Sequence, residues 1–430
     1  EKALSEAAAA ISDPAEVARI NEQVSMIPLS HISTIHSFCG DVIQNFRQEL
    51  TDAKDRVLIE PDTSIADETR AKILLRESVV FVTDALYALC HRVLNQSDPI
   101  KDQPVPDRPQ EPPDHPAPFS IGKETPTIEK WCESFMNMSL CFGSARDDQP
   151  LKDMVVDFHS SLRSLPDYEE RIRVLIEDKR REAEQFSESA TAKAYIEELR
   201  EIVDRAKTAV HDAIPLMDQF SFVKDPKTNK KQKDQYLECF ATVSELSEIL
   251  RTDPRWDDIS RIAARVPDGK WPGSVKPSEV SGPKGIFFES LFPMFEMIYV
   301  LSGGYPLNKE YIKRFKGLMP SVFSRPTDRI EADLRYMYPI LSRLFETIIL
   351  TDRLYSEQKR AENSLDFSDQ EHMALTLLKI PEVAQYYRAL FTEIYIDEYQ
   401  DNSRIQDAII REISSDNVFY VGDVKQSIYR

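Results

Sequence analysis

The residues with the clearest chemical potential lie in an acidic run near the end of the sequence, from Glu393 to Asp401, with the order EIYIDEYQD. An apolar strand that ends in Asp397 and Glu398 presents two carboxylates beyond its carboxyl end, where ligands bind in open α/β sheets. Asp397 is a candidate Mg²⁺ ligand that acts through water, because Mg²⁺ prefers oxygen and keeps its hydration shell. Glu398 is a candidate base that orients and deprotonates an attacking water. For the dipeptide alone, a strand followed by an acidic turn is the commoner explanation.

The run from Val421 to Arg430 carries a second group of chemically useful side chains. Gly422 permits a tight turn at the end of an apolar segment. Gln426 has both a donor and an acceptor, which suits it to sensing a γ-phosphate or its attacking water. Tyr429 offers an aromatic face on which a base can stack. Taken singly, Gln426 and Tyr429 are more often ordinary surface and core residues, so their interest comes from the neighbouring acidic run.

Two short β runs joined by a helix must position these residues, and this pattern predicts a parallel βαβ unit. The predicted segments are a strand over Glu393–Asp397, a helix over Ser403–Ile413 and a strand over Asn417–Val421. Asn402 and Ser403 are suitable N-caps for this helix. Near the other end of the chain, residues 26–48 predict a short apolar entry followed by a helix.

The long middle of the sequence is predicted to be largely helical. Apolar residues recur at helical spacing in stripes that should face a core, such as Leu199-Ile202-Val203-Ala206 and Leu341-Leu344-Phe345-Ile348. A further helix is predicted from about Ser64, after Pro61, to Leu94. Residues 98–118 contain eight prolines, which predict an extended surface loop or a disordered linker with neither helix nor central strand.

The composition restricts the class of protein. The chain has 430 residues with 41% hydrophobic content, enough for a sizeable core and for more than one domain or one domain with a large insertion. The net charge of -19 argues against strong autonomous DNA binding, because phosphate contacts need basic surface. Five cysteines without a Cys-x-x-Cys pair predict a reduced, cytoplasmic protein and offer no zinc or iron–sulfur spacing. The most apolar run, Phe287–Leu301, contains Glu289 and Glu296 and is too short to cross a bilayer, so no membrane association is predicted.

Four motifs resemble those of the UvrD/Rep/RecB superfamily 1 helicases and occur in that family's order. Asp397–Asp401 resembles motif II and Gly422–Tyr429 resembles motif III. Upstream, Leu365–Asp369 resembles the Asp-Phe segment that leads these proteins back into the motor domain, and Ile32–Cys39 resembles motif Ib. The order Asp423-Val424-Lys425 is closer to the AddA-type helicase–nucleases than to UvrD or Rep, which favour an acidic run before the Gln.

The resemblance implies a role for each matched position. Asp397 would hold Mg²⁺ with ATP, and Glu398 would be the catalytic base. Gln426 would contact the nucleotide and couple its state to the DNA site, and Tyr429 would stack on a base of single-stranded DNA. Thr34 and His36 would also face the DNA, where a hydroxyl and a ring donor suit a phosphate. Without the family context, a hydrogen-bonded structural histidine is the commoner explanation for His36.

The resemblance also implies the architecture: mostly α with a small parallel α/β part, a P-loop NTPase (RecA-like) motor-domain remnant plus a large helical insertion. Residues 1–60 would belong to motor domain 1A with motif Ib, residues 61–360 would form the inserted domain 1B, and residues 361–430 would return to motor domain 1A with motifs II and III. The parent protein would be an ATP- and Mg²⁺-dependent DNA helicase with an exonuclease. It would act on single- and double-stranded DNA with a partner of the AddB type, in double-strand break repair and recombination.

One family feature has no counterpart in the sequence. No Gly-x-x-x-x-Gly-Lys-[Ser/Thr] occurs, so the loop that cradles phosphates is not encoded in these residues. Since the chain also begins with Glu1, we expect an internal fragment that does not hydrolyse ATP by itself.

The sequence leaves three other interpretations open. A UvrD/Rep-type or RecB helicase is the nearest in mechanism. The downstream sequence would decide, because AddA and RecB proteins should carry a nuclease motif and UvrD should not. A non-enzymatic helical interaction scaffold predicts that no phosphate loop is encoded before Glu1 in the native gene. A stand-alone nucleic-acid-binding module is disfavoured by the negative charge.

Overall fold

The protein is mostly helical, as its apolar spacing predicts, and the strands among its described residues are short. The computed structural model describes residues 13–26, 31–51, 59–60, 62–95, 98–109, 116–121, 125–144, 147–219, 232–266, 283–303, 313 and 317–423. The helices are α1 (Pro14–Met26), α2 (Ile35–Phe46), α3 (Glu68–Asn95), α4 (Ile128–Phe142), α5 (Gln149–Arg163), α6 (Tyr168–Gln185), α7 (Ala190–Ala213), α8 (Gln232–Ile249), α9 (Trp256–Ala263), α10 (Pro283–Ser290), α11 (Phe292–Ser302), α12 (Thr327–Ala361), α13 (Phe367–Leu378), α14 (Pro381–Leu390) and α15 (Arg404–Ile413). The strands are β1 (Ser64–Ile65), β2 (Ser364–Leu365), β3 (Ile394–Ile396) and β4 (Val418–Tyr420).

The last described part of the chain forms the predicted parallel βαβ unit. Strands β3 and β4 pair in parallel, in a register that sets Ile394 opposite Val418. Helix α15 connects them and follows Ser403, whose hydroxyl accepts a hydrogen bond from the backbone N–H of Gln406. The prediction is confirmed, because both apolar runs are strands and Ser403 is the N-cap.

The start of helix α3 differs from the prediction. The sequence predicts a helix from about Ser64, but Ser64–Ile65 form strand β1 and pair in parallel with β2. The helix begins at Glu68, where the carboxylate of Asp67 accepts a hydrogen bond from the backbone N–H of Arg70. The prediction is wrong by about one turn because the partner strand is distant in the sequence, and a long-range pairing leaves no local signal.

A first hydrophobic core lies between helices α3 to α6 and the middle of α12. The predicted stripe on α12 faces this core through Leu344, Phe345 and Ile348. The core also encloses the carboxylate of Glu346, which accepts hydrogen bonds from Trp131 Nε1 at 2.8 Å and from the backbone N–H of Ile121 at 3.0 Å. Because a buried charge must be paired, the bidentate contact from Arg343 to Glu346 completes this network.

The Pro-rich segment is better packed than the sequence predicts. In its described parts it has neither helix nor strand, as expected, and its one β-bridge joins Pro104 to Thr127. Val105, however, is only 1% exposed and packs into the first core. The predicted surface loop or linker is therefore wrong for Val105, and Pro109 and Pro118 of the same segment are buried as well. Residues 110–115 lie outside the described residues.

A second hydrophobic core lies between helices α7 to α11. The predicted stripe of Leu199, Ile202, Val203 and Ala206 is buried in it, on one face of α7. Among the described helices, none alone is long and apolar enough to span a bilayer. Helices α10 and α11 meet that length and composition only when taken together, and the chain bends by 48° between them.

A third core supports the βαβ unit. It is formed by α2, α13, α14 and α15, with side chains such as Cys39, Val42, Ala374 and Ile405 fully buried. Ile394 of β3 packs against this core, whereas Tyr395 points away and is 68% exposed. The third core therefore contacts the strand pair at the first residue of β3.

A network of buried charges joins the first core to helix α13. Lys359 of α12 is 1% exposed and donates to Asp366 at 2.7 Å and also to Asp369. Arg163, at the end of α5, donates to the second oxygen of Asp369 at 2.7 Å. Burial would raise the pKa of Asp366, but the Lys359 ammonium and the Arg163 guanidinium outweigh it and lower the pKa to about 2. The carboxylate of Asp366 is thus held ionised within the protein.

The turn after α5 also contacts the βαβ unit through its backbone. The N–H of Ile405, in the first turn of α15, donates to the carbonyl of Ser164 at 3.1 Å. The carbonyl of Arg163 lies 2.9 Å from His372 Nε2, and because a carbonyl only accepts, the imidazole donates. These contacts fix the first helical core against the helices that carry the strand pair.

Candidate functional site

Asp397 and Glu398 stand directly after β3, exposed at the carboxyl end of the strand pair. The backbone N–H of Glu398 donates to Asp397 Oδ1 at 2.9 Å. Glu398 itself has a φ of 50°, in the left-handed region. For a residue with a side chain that conformation costs about 1–2 kcal/mol, which is tolerated where the surroundings impose it and is enriched at functional sites.

Gln400 links this acidic turn to the end of β4. Its Nε2 donates to the Glu398 carboxylate, and its Oε1 accepts from the backbone N–H of Asp423 at 3.0 Å. Gly422 lies so close that a Cβ there would sit 2.6 Å from Gln400 Oε1 and 3.1 Å from the Gln400 nitrogen. Glycine is therefore required here by the close approach of the two turns.

The rim formed by these two turns agrees with the sequence prediction as far as the structure describes it. The end of β4 packs against the turn of Asp397 and Glu398, on the same edge of the strand pair. Gln426 and Tyr429 lie outside the described residues, so their placement stays a prediction.

The acidic rim has the oxygen chemistry that Mg²⁺ requires. Asp397 uses Oδ1 for the Glu398 N–H, so Oδ2 is the oxygen that can face a hydrated ion. Among the described residues, no three acidic, His or Cys side chains converge into a metal cage. An open site of one or two carboxylates suits Mg²⁺, which takes its remaining ligands from water and substrate phosphates.

Thr34 and His36 stand at the N-terminus of α2. Thr34 is the N-cap, and its Oγ1 accepts from the backbone N–H of Ser37 at 3.2 Å. His36 is half-buried, with its Nε2 3.2 Å from Glu371 Oε1 and its ring 4.7 Å from the ring of Phe367. Both predicted DNA-facing residues thus have contacts within the protein, and the side chain of His36 is 35% exposed.

Helix α13 connects this histidine to the helix that follows the acidic rim. Glu371 of α13 accepts a hydrogen bond from Gln406 Nε2 at 2.7 Å, and the same Oε1 lies 3.2 Å from His36 Nε2. Gln406 in turn closes the capping box of α15, because its Oε1 accepts from the backbone N–H of Ser403 at 3.1 Å. The N-terminus of α2 and the start of α15 are therefore joined through one carboxylate.

Sequence reasoning missed three of the residues that organise the site. Gln406 had a signal, because Ser403-x-x-Gln406 is a capping-box spacing. Gln400 lies inside the acidic run, but its bridging role depends on the turn conformation. Glu371 had no signal, because the sequence does not distinguish a buried glutamate on a helix from an exposed one.

The left-handed conformation of Glu398 leads to a prediction about stability. Replacement by Gly should leave the free energy of unfolding unchanged or raise it by up to about 1 kcal/mol, because Gly adopts positive φ without strain. Replacement by Ala keeps the strain and should give no gain. Urea unfolding of the two variants measures the difference, and a Gly variant less stable than the Ala variant would contradict it.

Residues 339–430 match the family described as the UvrD/REP helicase N-terminal domain. The match includes the end of α12, helices α13 to α15 and both strands of the βαβ unit, and so the whole described acidic rim. Three of the four motifs lie within this match, and the resemblance that they predict is thereby confirmed: residues 339–430 are similar to the UvrD/REP helicase N-terminal domain. The motif at Ile32–Cys39 lies outside the match.

Nearly the whole chain is similar to part of larger proteins that share one name. Relatives named as the A subunit of an ATP-dependent helicase/nuclease include that of Ruminiclostridium cellulolyticum, 27% identical over 98% of this chain and 30% of the relative. That of Acetivibrio thermocellus is 27% identical over 96% of this chain and 29% of its own length. That of Thermoanaerobacter sp. is 26% identical over 99% of this chain and 30% of its own length. The chain thus spans less than a third of the curated relatives it matches.

Proposed function

We propose that this chain forms part of the motor of an ATP-driven DNA helicase that also carries a nuclease. The observation that supports it most is the rim at the end of β3, where exposed Asp397 and Glu398 meet the glycine turn after β4. That arrangement sets two carboxylates side by side at the carboxyl end of parallel strands, where the proposed Mg²⁺ ligand and the proposed base would act. The name of the relatives agrees with this chemistry.

Each side chain on the rim has a proposed task. Asp397 holds Mg²⁺ through water, and Glu398 takes the proton from the water that attacks. Gln400 restrains the Glu398 carboxylate through its amide, which limits the positions the base can adopt. Gln426 is the proposed sensor of the nucleotide. ATP–Mg²⁺, when bound, supplies the phosphoryl group whose hydrolysis drives movement along DNA.

The DNA side of the proposal rests on Thr34, His36 and Tyr429. Thr34 keeps a hydroxyl at a helix N-terminus, a position that favours a phosphate. The side chain of His36 is 35% exposed and is proposed to face the strand, and Tyr429 is proposed to stack on a base. The net charge of -19 favours structural support and protein contact for most of the helical insertion.

The proposed division of the chain is motor domain 1A over residues 1–60 and 361–430, with the inserted domain 1B over residues 61–360. The separate third core supports it, because this core draws its side chains from α2 and from α13 to α15, whereas the other two cores are built from the helices between. The proposed biological setting is double-strand break repair and recombination in the bacterial cytoplasm, with a partner of the AddB type.

The test uses the native protein that carries these residues, purified with its partner. We expect it to hydrolyse ATP in the presence of single-stranded DNA, to unwind a blunt-ended duplex, and to lose both activities when Mg²⁺ is chelated. A protein without DNA-stimulated ATP turnover would contradict the motor and favour the scaffold interpretation. That the 430 residues alone do not hydrolyse ATP stays a prediction, which the same assay on the isolated chain measures.

A further inference from the structure

The proposed helical insertion meets the helices of the βαβ unit at the turn that follows α5. The carbonyl of Ser164 in this turn accepts a hydrogen bond from the backbone N–H of Ile405 at 3.1 Å. Ile405 is the second residue of α15, and its side chain is fully buried in the third core. A helix leaves its first N–H groups without partners inside the helix, and Ser403 caps only that of Gln406. The turn after α5 therefore supplies one of the hydrogen bonds that begin α15.

The same turn is anchored to α13 by Arg163, whose side chain is 11% exposed. Its Nε donates to Ser368 Oγ at 3.1 Å, and its Nη2 donates to Asp369 Oδ1 at 2.7 Å, both in the first turn of α13. The backbone carbonyl of Arg163 accepts from His372 Nε2, one turn further along α13, at 2.9 Å. A planar guanidinium that donates twice to one helix sets the direction of the contact as well as its distance.

The start of α15 is joined to the acidic rim by one short turn. A single 3-10 turn, Tyr399–Asp401, leads from Glu398 to Asn402, and Ser403 then caps α15. Asp401 Oδ1 and Asn402 Nδ2 are buried there without a hydrogen-bond partner among the described residues. These two atoms do not hold the turn, so its position depends on what holds its two ends. Displacement of a reacting group by about 1 Å can cost about 10²-fold in rate, so the start of α15 matters for the proposed base.

We infer that Arg163 is a positioning residue for ATP hydrolysis. It holds the turn after α5 on α13, the carbonyl of Ser164 in that turn holds the start of α15, and the start of α15 sets the position of the Glu398 carboxylate. The inference rests on the proposed function and deepens it, because it makes the helical insertion part of the support of the hydrolysis site. In this role Arg163 touches neither nucleotide nor DNA and acts through α15.

The test compares Arg163→Met with Arg163→Lys in the native full-length protein with its partner. Met removes both donors, whereas Lys keeps a cation that can still pair with Asp369. The matched control is Arg171→Met, at an exposed position on α6. The measurements are ATP turnover at saturating single-stranded DNA, the KM for ATP, hydrogen exchange of the Ile405 amide, and the unfolding temperature.

For Arg163→Met we expect turnover to fall by about 10- to 100-fold, because the base is displaced from the attacking water. The KM for ATP should stay within about threefold, because hydrolysis and not binding is the step that is impaired. The Ile405 amide should exchange faster, whereas the amides of α7 in the second core should keep their rates. Arg163→Lys should restore turnover to within about fivefold of the unsubstituted protein, because the cation is kept. Arg171→Met should change none of these quantities.

His372→Leu tests the same turn without removing a cation from the buried network. It deletes the donor to the Arg163 carbonyl and leaves the ion pairs of Arg163 in place, so it decides the matter if Arg163→Met does not fold. Turnover should fall by about three- to tenfold, in keeping with the loss of one hydrogen bond.

A double substitution separates action through Glu398 from a general loss of structure. In a Glu398→Gln background, Arg163→Met or His372→Leu should lower the remaining turnover by less than about twofold, because the base that they position is already lost. A merely structural role would give the same loss in both backgrounds. That result, unchanged turnover in folded Arg163→Met or in His372→Leu, or equal losses in the Met and Lys variants would each overturn the inference while leaving the motor intact. Absence of DNA-stimulated turnover in the unsubstituted protein would overturn the proposed function and this inference with it.

Discussion

Replacement of Glu398 by Gln in the native protein is expected to lower ATP turnover by about 10²–10⁴-fold, the contribution typical of a general base. Gln has nearly the same shape and can still contact the amide of Gln400, but it cannot take a proton from water. The left-handed turn and its hydrogen bonds should therefore persist. Steady-state turnover at saturating single-stranded DNA measures the effect, and the KM for ATP should change by less than about threefold because binding is not the step removed.

The matched control is Glu393→Gln, an exposed glutamate at the opposite end of β3. It removes one negative charge from the same strand without touching the rim, so turnover should stay at the unsubstituted level. If Glu398→Gln kept more than about a tenth of the turnover, another residue would be the base, and the assignment of the rim would be wrong.

Replacement of Lys359 by Met is expected to lower the free energy of unfolding by about 3–5 kcal/mol, the usual result of removing one partner from a buried ion pair. Lys359 is 1% exposed and lies between Asp366 and Asp369. Without it, only Arg163 remains to compensate two buried carboxylates. Hydrogen exchange of the backbone amides of α12 and α13 measures the loss where it occurs, in the part of the chain that joins the first core to the βαβ unit.

Lys379→Met provides the control for this prediction. Lys379 pairs with Asp167 at 3.0 Å, but the side chains are 49% and 60% exposed, so its loss should cost less than about 1 kcal/mol. If the two substitutions lowered the free energy of unfolding equally, burial of the Lys359 ion pairs would not add to their contribution to stability.

Acid gives a second measurement of the same network. The pKa of Asp366 is lowered to about 2, so its ion pair stabilises the fold above the ordinary carboxyl pKa and this contribution is lost as the pH falls through about 2. Unfolding should therefore become easier between about pH 4 and pH 2. The Lys359→Met variant should lose less stability over that interval, because it has already lost the cation.

The βαβ unit was predictable because its signals are local. Two apolar runs, a Ser-x-x-Gln spacing and a glycine after the second run lie within a short stretch, and each favours the conformation found. The position of Asp397 and Glu398 could then be predicted as well, because the carboxyl ends of parallel strands meet at one edge of a sheet.

What sequence could not predict depends on contacts between distant segments. Strand β1 exists because β2 lies beside it, and neither has a signal of its own. In the sequence, Glu371 and Lys359 look like any other charged residues on helices. Their burial and their contacts with Gln406 and Asp366 arise only when distant elements pack together. The burial of Val105 was not predicted for the same reason, because composition describes a whole segment and not the packing of each side chain in it.

Helix α12 runs for 35 residues, about 50 Å, and passes through two of the cores to the buried charges at its end. Its beginning packs against the second core through Ile330 and Leu334, and its middle lies in the first. Between them stands Pro339, which has no N–H and crowds the carbonyl one turn earlier, so the helix bends most easily there. Pro339 lies near one third of the length of the helix and divides it into a shorter part of about 18 Å beside the second core and a longer part of about 33 Å through the first. One continuous helix therefore ties both cores to the buried charges that precede the segment of the acidic rim.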